Sequence, residues 1–248
     1  MRWHYRLSGR WIASGWLLLW LAVCALTLLV VGSAVNQTSA AGDKEKLTIY
    51  RGARLYVEYA CVKCHEEGGR GRSVPPVPGL SLSSSEFKRS FPKGDPHFED
   101  ALLSVIKNGS ILEGQGIASM PAWNGIIPEQ DIRAIVAYIH ADLPDLGIPP
   151  LPARTGEQVY EAFACIKCHG PLGVGGVKNV EAGPENQTIP GLGGPAFRKK
   201  FDNIDKVRQI VEQGKHAERG KAGVVFMPSW GRIGSPDQLD KVVGYIYR

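Results

Sequence analysis

A short motif written twice constrains this chain most. Residues 60–69 read ACVKCHEEGG and residues 164–173 read ACIKCHGPLG. The two Cys-x-Lys-Cys-His segments lie 104 residues apart and use four of the five cysteines. The likeness extends beyond the motif. Gly52, Leu55 and Tyr56 precede Cys61 as Gly156, Val159 and Tyr160 precede Cys165. Met120-Pro121-Ala122-Trp123 matches Met227-Pro228-Ser229-Trp230 at an offset of 107, and Tyr138-Ile139 matches Tyr245-Ile246 at the same offset. Self-similarity of this period marks tandem copies of one unit. The expected division is a first unit over 43–142, a linker over 143–153 and a second unit over 154–248. Four prolines in the eleven residues of the linker cannot continue a helix and favour a semi-rigid extended spacer.

Residues 1–42 read as an address. Trp11 to Val31 is a run of 21 residues without a charge. As a helix it would span about 30 Å, the thickness of a bilayer core. Trp11, Trp16 and Trp20 cluster toward one end, as interfacial aromatics do. Arg2, Arg6 and Arg10 precede the run, and Asp43 is the first charge after it. The positive-inside rule then puts the N-terminus in the cytoplasm and the rest outside. A single-pass anchor in a bacterial cytoplasmic membrane is the expectation, with the repeats on the periplasmic side. A cleaved signal peptide is the alternative, with Ser39-Ala40-Ala41 offering small residues, but the run is longer than a usual signal core. Both export residues 43–248. Cys24 reads as a packing residue within the run.

Composition adds little beyond exclusion. The net charge of +5 forms no sustained basic stripe, so nucleic acid is not an expected partner.

Each unit reads as three helices. Leu47 to Tyr59 carries Leu47, Tyr50, Leu55 and Tyr59 at helical spacing as a core face, and 156–164 repeats it. Glu99 to Lys107 and Ile204 to Gln213 run into Gly109 and Gly214, a usual helix stop. Pro128-Glu129 and Ser235-Pro236-Asp237 open third helices, since proline suits a first turn and acids suit its positive end. Ile132, Ile135, Val136 and Ile139 form one apolar face, and Leu239, Val242, Val243 and Ile246 form the other.

The chemistry lies in the motif. Cys-x-x-Cys alone fits zinc or thiol redox work. Cys-x-x-Cys-His is the attachment site of a c-type haem. Two thiols bond the porphyrin vinyl groups, and the next imidazole reaches the iron. Cys61 and Cys64 with His65, and Cys165 and Cys168 with His169, therefore each hold one covalently bound haem c. One zinc shared by four cysteines is the competitor, and it leaves both histidines without a role. Only two internal methionines exist, Met120 and Met227, one per unit, 55 residues after His65 and 58 after His169. Each begins Met-Pro-x-Trp, which makes them the expected sixth ligands. His97, His140 and His216 have no counterpart in the other unit and read as surface residues. Pro78 and Pro190 either accept a bond from the ligand histidine or simply make turns. Trp123 and Trp230 are expected to pack on the porphyrin or bond a propionate. Arg70, Arg72, Arg198, Lys199 and Lys200 read as solvated surface.

On the two CxxCH sites, the two M-P-x-W segments and the helices around them, the chain resembles class I cytochromes c in tandem dihaem form. The resemblance covers 47–142 and 154–248. It implies an all-α fold of two tandem class I cytochrome c domains behind one transmembrane helix. It also implies that Tyr56 packs on Tyr138, and Tyr160 on Tyr245, where terminal helices cross near the haem.

His/Met ligation fills both axial positions and raises the reduction potential, which suits an electron carrier rather than an enzyme. The expected role is to pass single electrons between a respiratory donor and acceptor, as a subunit or partner of a larger redox complex. Expected partners are a quinol-oxidising complex, a terminal oxidase or a dehydrogenase, with the lipid bilayer holding the anchor. A dihaem enzyme such as a peroxidase is the alternative, and it needs one open iron.

Overall fold

The computed structural model describes Trp20, Thr27 and residues 41–71, 81–110, 120–179, 187–215 and 226–248. The chain divides at Leu47, and Thr48–Arg248 form one compact unit. No described helix is long and apolar enough to cross a membrane. The run 11–31 lies outside the described residues except for Trp20 and Thr27. Pro78, Arg72 and His216 lie outside them altogether.

The described structure is helical, with isolated bridges and no strand among the described residues. The first repeat contains α1 (41–58), α2 (Cys61–His65), α3 (Ser85–Ser90), α4 (Pro96–Asn108) and α5 (Glu129–His140). The second contains α6 (Gly156–Ala162), α7 (Cys165–His169), α8 (Gly194–Lys200), α9 (Ile204–Gln213) and α10 (Pro236–Ile246). The expected three helices per unit are present. The two short helices in each repeat carry too few residues to show a periodic pattern, and sequence periodicity missed them. Helix α4 also begins earlier than expected, because the Asp95 side chain accepts from the His97 amide and Pro96 opens the helix. Thr155 with Gln158 and Ser235 with Gln238 form capping boxes on α6 and α10.

In both repeats the first long helix crosses the last at a glycine. A Cβ on Gly52 would lie 1.9 Å from the Ala134 carbonyl oxygen of α5; on Gly156 it would lie 2.3 Å from the Lys241 oxygen of α10. Glycine alone permits so close a crossing. One turn on, the expected tyrosine pairs pack across it. The rings of Tyr56 and Tyr138 meet edge-on at 5.6 Å, and those of Tyr160 and Tyr245 lie at 5.4 Å. Arg51 closes the first crossing with an ion pair to Asp131 of α5.

Two apolar cores result. The first gathers Tyr56, Tyr59, Leu102, Ile106, Ile132 and Ile135, with Met120 and Cys61 packed against it. The second gathers Val159, Tyr160, Phe163, Val211, Trp230 and Val243, with Met227 and Cys165 against it.

Two expectations need correction. Leu47 is 71% exposed and Tyr50 48%; the buried residues are Ala53, Leu55 and Tyr56 of α1 and Tyr59 just after it, which lie at and beyond the Gly52 crossing where α5 covers the helix. His140 is buried, not a surface histidine. It ends α5 against α4, where its Nδ1 lies 3.5 Å from Glu99 Oε1.

Candidate functional site

Each Cys-x-Lys-Cys-His motif forms one short helix, α2 or α7. The residue before it, Ala60 or Ala164, is left-handed, with φ of 58° and 54°. That reverses the chain after the preceding helix and starts a new one. Residues three apart on a helix share a face, so each pair of thiols is presented together. None of the four is in a disulfide. Burial, with the neighbouring cysteine adding to it, pushes the thiols of Cys61 and Cys165 up to about 12, and burial alone does so for Cys168. Thiols raised this far are neutral near pH 7, whereas a metal-binding thiolate needs a lowered pKa. Among the described residues no three His, Cys, Asp or Glu side chains gather as metal ligands would.

The turn that follows each motif is tied to the first long helix. Tyr56 Oη donates to the carbonyl of Glu66 at 3.0 Å, and Tyr160 Oη donates to that of Gly170 at 2.8 Å. Burial raises both hydroxyl pKa values, so both stay protonated donors. In the second repeat, His169 Nδ1 lies 2.9 Å from the Pro190 carbonyl oxygen. A carbonyl only accepts, so Nδ1 carries the proton and Nε2 holds the lone pair a metal needs. Of the two roles open to Pro190, the hydrogen-bonding one is what the geometry provides. Burial lowers the His169 pKa, with the Pro190 bond opposing it, which keeps the imidazole neutral.

The methionines are placed by matching devices. Met120 pairs with Ser110 and Met227 with Lys215 in antiparallel bridges. Each partner directly follows the glycine that ends α4 or α9. A Cβ on Gly109 would lie 2.5 Å from the Met120 carbonyl oxygen, and one on Gly214 would lie 2.6 Å from that of Met227. The next tryptophan locks the loop to the same helix: Trp123 N donates to the Ile106 and Lys107 carbonyls, and Trp230 N to that of Val211. The indoles meet aromatic residues beside the motifs. Trp230 stacks on Phe163 at 4.7 Å and Trp123 meets Tyr59 edge-on at 5.8 Å.

The residues present fit a c-type haem in each repeat: a thiol pair on one helix face, a following histidine (in the second repeat of fixed tautomer) and a thioether on a braced loop. Cys61 with Met120, and Cys165 with Met227, share one core each. Cys64 departs from this partition, since it belongs to the first motif but packs against the second core. Sequence reasoning found Gly109 and Gly214 as helix stops but not as braces for the methionines, and it missed Ala60 and Ala164. Their signal was present in the repeat, where each falls at an equivalent position.

The family model described as cytochrome c oxidase, cbb3-type, subunit III matches this chain twice, over residues 48–139 and 151–246. The cbb3-type cytochrome c oxidase subunit FixP of Bradyrhizobium diazoefficiens is 27% identical over 114 residues. That alignment covers 46% of this chain and 34% of the relative, so the chain spans about a third of the relative's length. No solved structure matches.

Proposed function

The chain belongs to the cytochrome c oxidase, cbb3-type, subunit III family, and on that premise we propose that it is a membrane-tethered dihaem electron carrier. Cys61 and Cys64 anchor one haem c with His65 as axial ligand; Cys165 and Cys168 anchor the other with His169. Met120 and Met227 supply the sixth ligands. The observation that carries this reading is the matched bracing of the two methionines, each bridged to the residue after a helix-ending glycine. A methionine kept only as core filler needs no such device.

Each haem, when bound, supplies an iron that changes charge by one electron. The chain's residues do the rest. The Pro190 carbonyl holds the His169 ring in one tautomer and one orientation. The thioether of methionine, a soft ligand, favours ferrous iron and raises the potential. With His65 and Met120 holding one haem and His169 and Met227 the other, no ligand position would be left to substrate, and the role would be transfer rather than catalysis.

We assign 43–142 and 154–248 as the two haem domains, with 143–153 as the linker. The run 11–31 is the anchor, which leaves the haem domains on the periplasmic side. Such a tether raises the effective concentration of both sites near membrane partners. A respiratory donor and a terminal oxidase of the cbb3 type are the proposed partners, in keeping with the family.

The pyridine haemochrome of the purified chain tests this. Two haems c per chain, and a reduced Soret band that carbon monoxide leaves in place, are the expected results. One haem per chain refutes the dihaem assignment. A band that moves refutes firm methionine ligation and opens the peroxidase reading.

A further inference from the structure

The two attachment helices are not remote from one another. Lys63, in the middle of the first motif, places its Nζ 5.8 Å from the ring centre of Phe163. Lys167, in the middle of the second, places its Nζ 4.6 Å from the ring centre of Tyr59. The four positions are related by the repeat. Lys167 stands 104 residues after Lys63, and Phe163 stands 104 after Tyr59. Each lysine therefore crosses to the aromatic residue two places before the other motif's first cysteine. A contact in which i meets j and the equivalent of i meets the equivalent of j is isologous, the signature of a two-fold axis.

Other contacts cross the same boundary from one side. Ala60 and Cys64 of the first repeat pack into the second core. Trp123 lies against both cores, as an indole at a shared boundary does. An ion pair is also one-sided. Lys167 also lies 3.8 Å from Glu58 Oε2, and the position equivalent to Glu58 is Ala162. The clasp is symmetric in its aromatic part and reinforced on one side.

We propose that the two repeats are held together by this pseudo-two-fold clasp, with Lys63 and Lys167 as positioning residues that fix each haem-attachment helix against the other. Two units on a proline-rich spacer alone would sample many separations. The clasp selects one of them. A lysine suits the task because its stem packs on apolar surface while its charge faces the ring. The aromatic faces are already ordered, Tyr59 by Trp123 and Phe163 by Trp230, so little freedom is lost when the lysine arrives. Because an isologous contact closes on itself, this face is consumed within the chain, and outside partners must dock elsewhere. The clasp itself needs no haem, whereas its use in electron exchange between the two sites rests on the function proposed above.

The test cuts the chain between the repeats. Asp145, Leu146 and Gly147 are exposed, so a protease site placed there in the full haem-loaded protein will be accessible. After cleavage the halves are followed by gel filtration over a dilution series. The wild-type halves are expected to travel together. Lys63→Ala with Lys167→Ala should weaken their association by about fivefold or more, from the loss of two cation–π contacts. Lys63→Arg with Lys167→Arg should restore it, because guanidinium serves the same faces. Wild-type halves that separate at once overturn the proposal, as does an alanine pair that holds as tightly as wild type. Haem per chain is measured alongside. A count other than two refutes the dihaem reading, while the affinity of the halves still decides the clasp.

Discussion

His169 Nδ1 lies 2.9 Å from the carbonyl oxygen of Pro190 across 21 residues of chain. The loop that brings them together depends on Gly175, whose φ is +76° and whose added Cβ would lie 2.3 Å from Gly191 N. Gly175→Ala should therefore push Pro190 away and free the His169 ring. A carbonyl that accepts from the imidazole makes the ring a stronger donor and favours ferric iron. Its loss should raise the potential of the second site by tens of millivolts, where about 59 mV is a tenfold change in a one-electron equilibrium. A redox titration reads this directly, and an unchanged pair of potentials would contradict it.

The methionines are tested one at a time. Met120→Ala and Met227→Ala should each leave half the reduced haem able to bind carbon monoxide, and the double variant all of it. Each should also lower one potential while leaving the other near its wild-type value. If either single variant gives no gas binding, that residue is not a ligand.

Gly52→Ala and Gly156→Ala attack the helix crossings. With a Cβ 1.9 Å or 2.3 Å from a backbone oxygen, the helices must separate. A loss of about 3 kcal/mol is expected at each, roughly 6–12 °C in melting temperature for a chain this long. Gly244 is the control: it lies in α10 with nothing within 4 Å of its added Cβ. Gly244→Ala should be neutral or stabilising by up to about 1 kcal/mol, because it removes backbone freedom from the unfolded chain.

Glu66 has φ 59° and ψ 172°, and its counterpart Gly170 has φ 75° and ψ 170°. This region belongs to glycine, and another residue there costs about 1–3 kcal/mol. Glu66→Gly should raise stability by about 1 kcal/mol or more, seen as a higher denaturant midpoint at unchanged slope. No gain would mean that the Tyr56 hydroxyl bond to the Glu66 carbonyl suffers when the side chain goes.

Glu129 links α5 to α4. Hydrogen bonds from Lys107 and Arg133 hold its carboxyl below the ordinary glutamate range. The folded form thus binds fewer protons than the unfolded chain near that range. The stability gained is present above the ordinary glutamate pKa and is lost as pH falls through the lowered one. Glu129→Gln should be less stable than wild type at pH 7 and equal to it once acid has protonated the wild-type residue. Acid and neutral denaturation curves check the convergence, and high salt should shrink the difference at pH 7.

The sequence by itself determined the parts. Two cysteines and a histidine at fixed spacing admit little other chemistry, and writing the motif twice with a methionine each marked two equivalent sites. Helix caps and glycine stops were legible because they act over three or four residues. Tertiary structure decided everything that depends on residues far apart in the chain. That Gly52 and Gly156 are crossing points, that His140 is buried while Leu47 and Tyr50 are not, and that Pro190 reaches His169 all follow from which helix lies against which. The reciprocal contacts of Lys63 and Lys167 belong to the same class. Each lysine looks like a solvated charge in its own segment, and only the packing of one repeat on the other brings a ring beneath it, because the ring it meets lies about a hundred residues away.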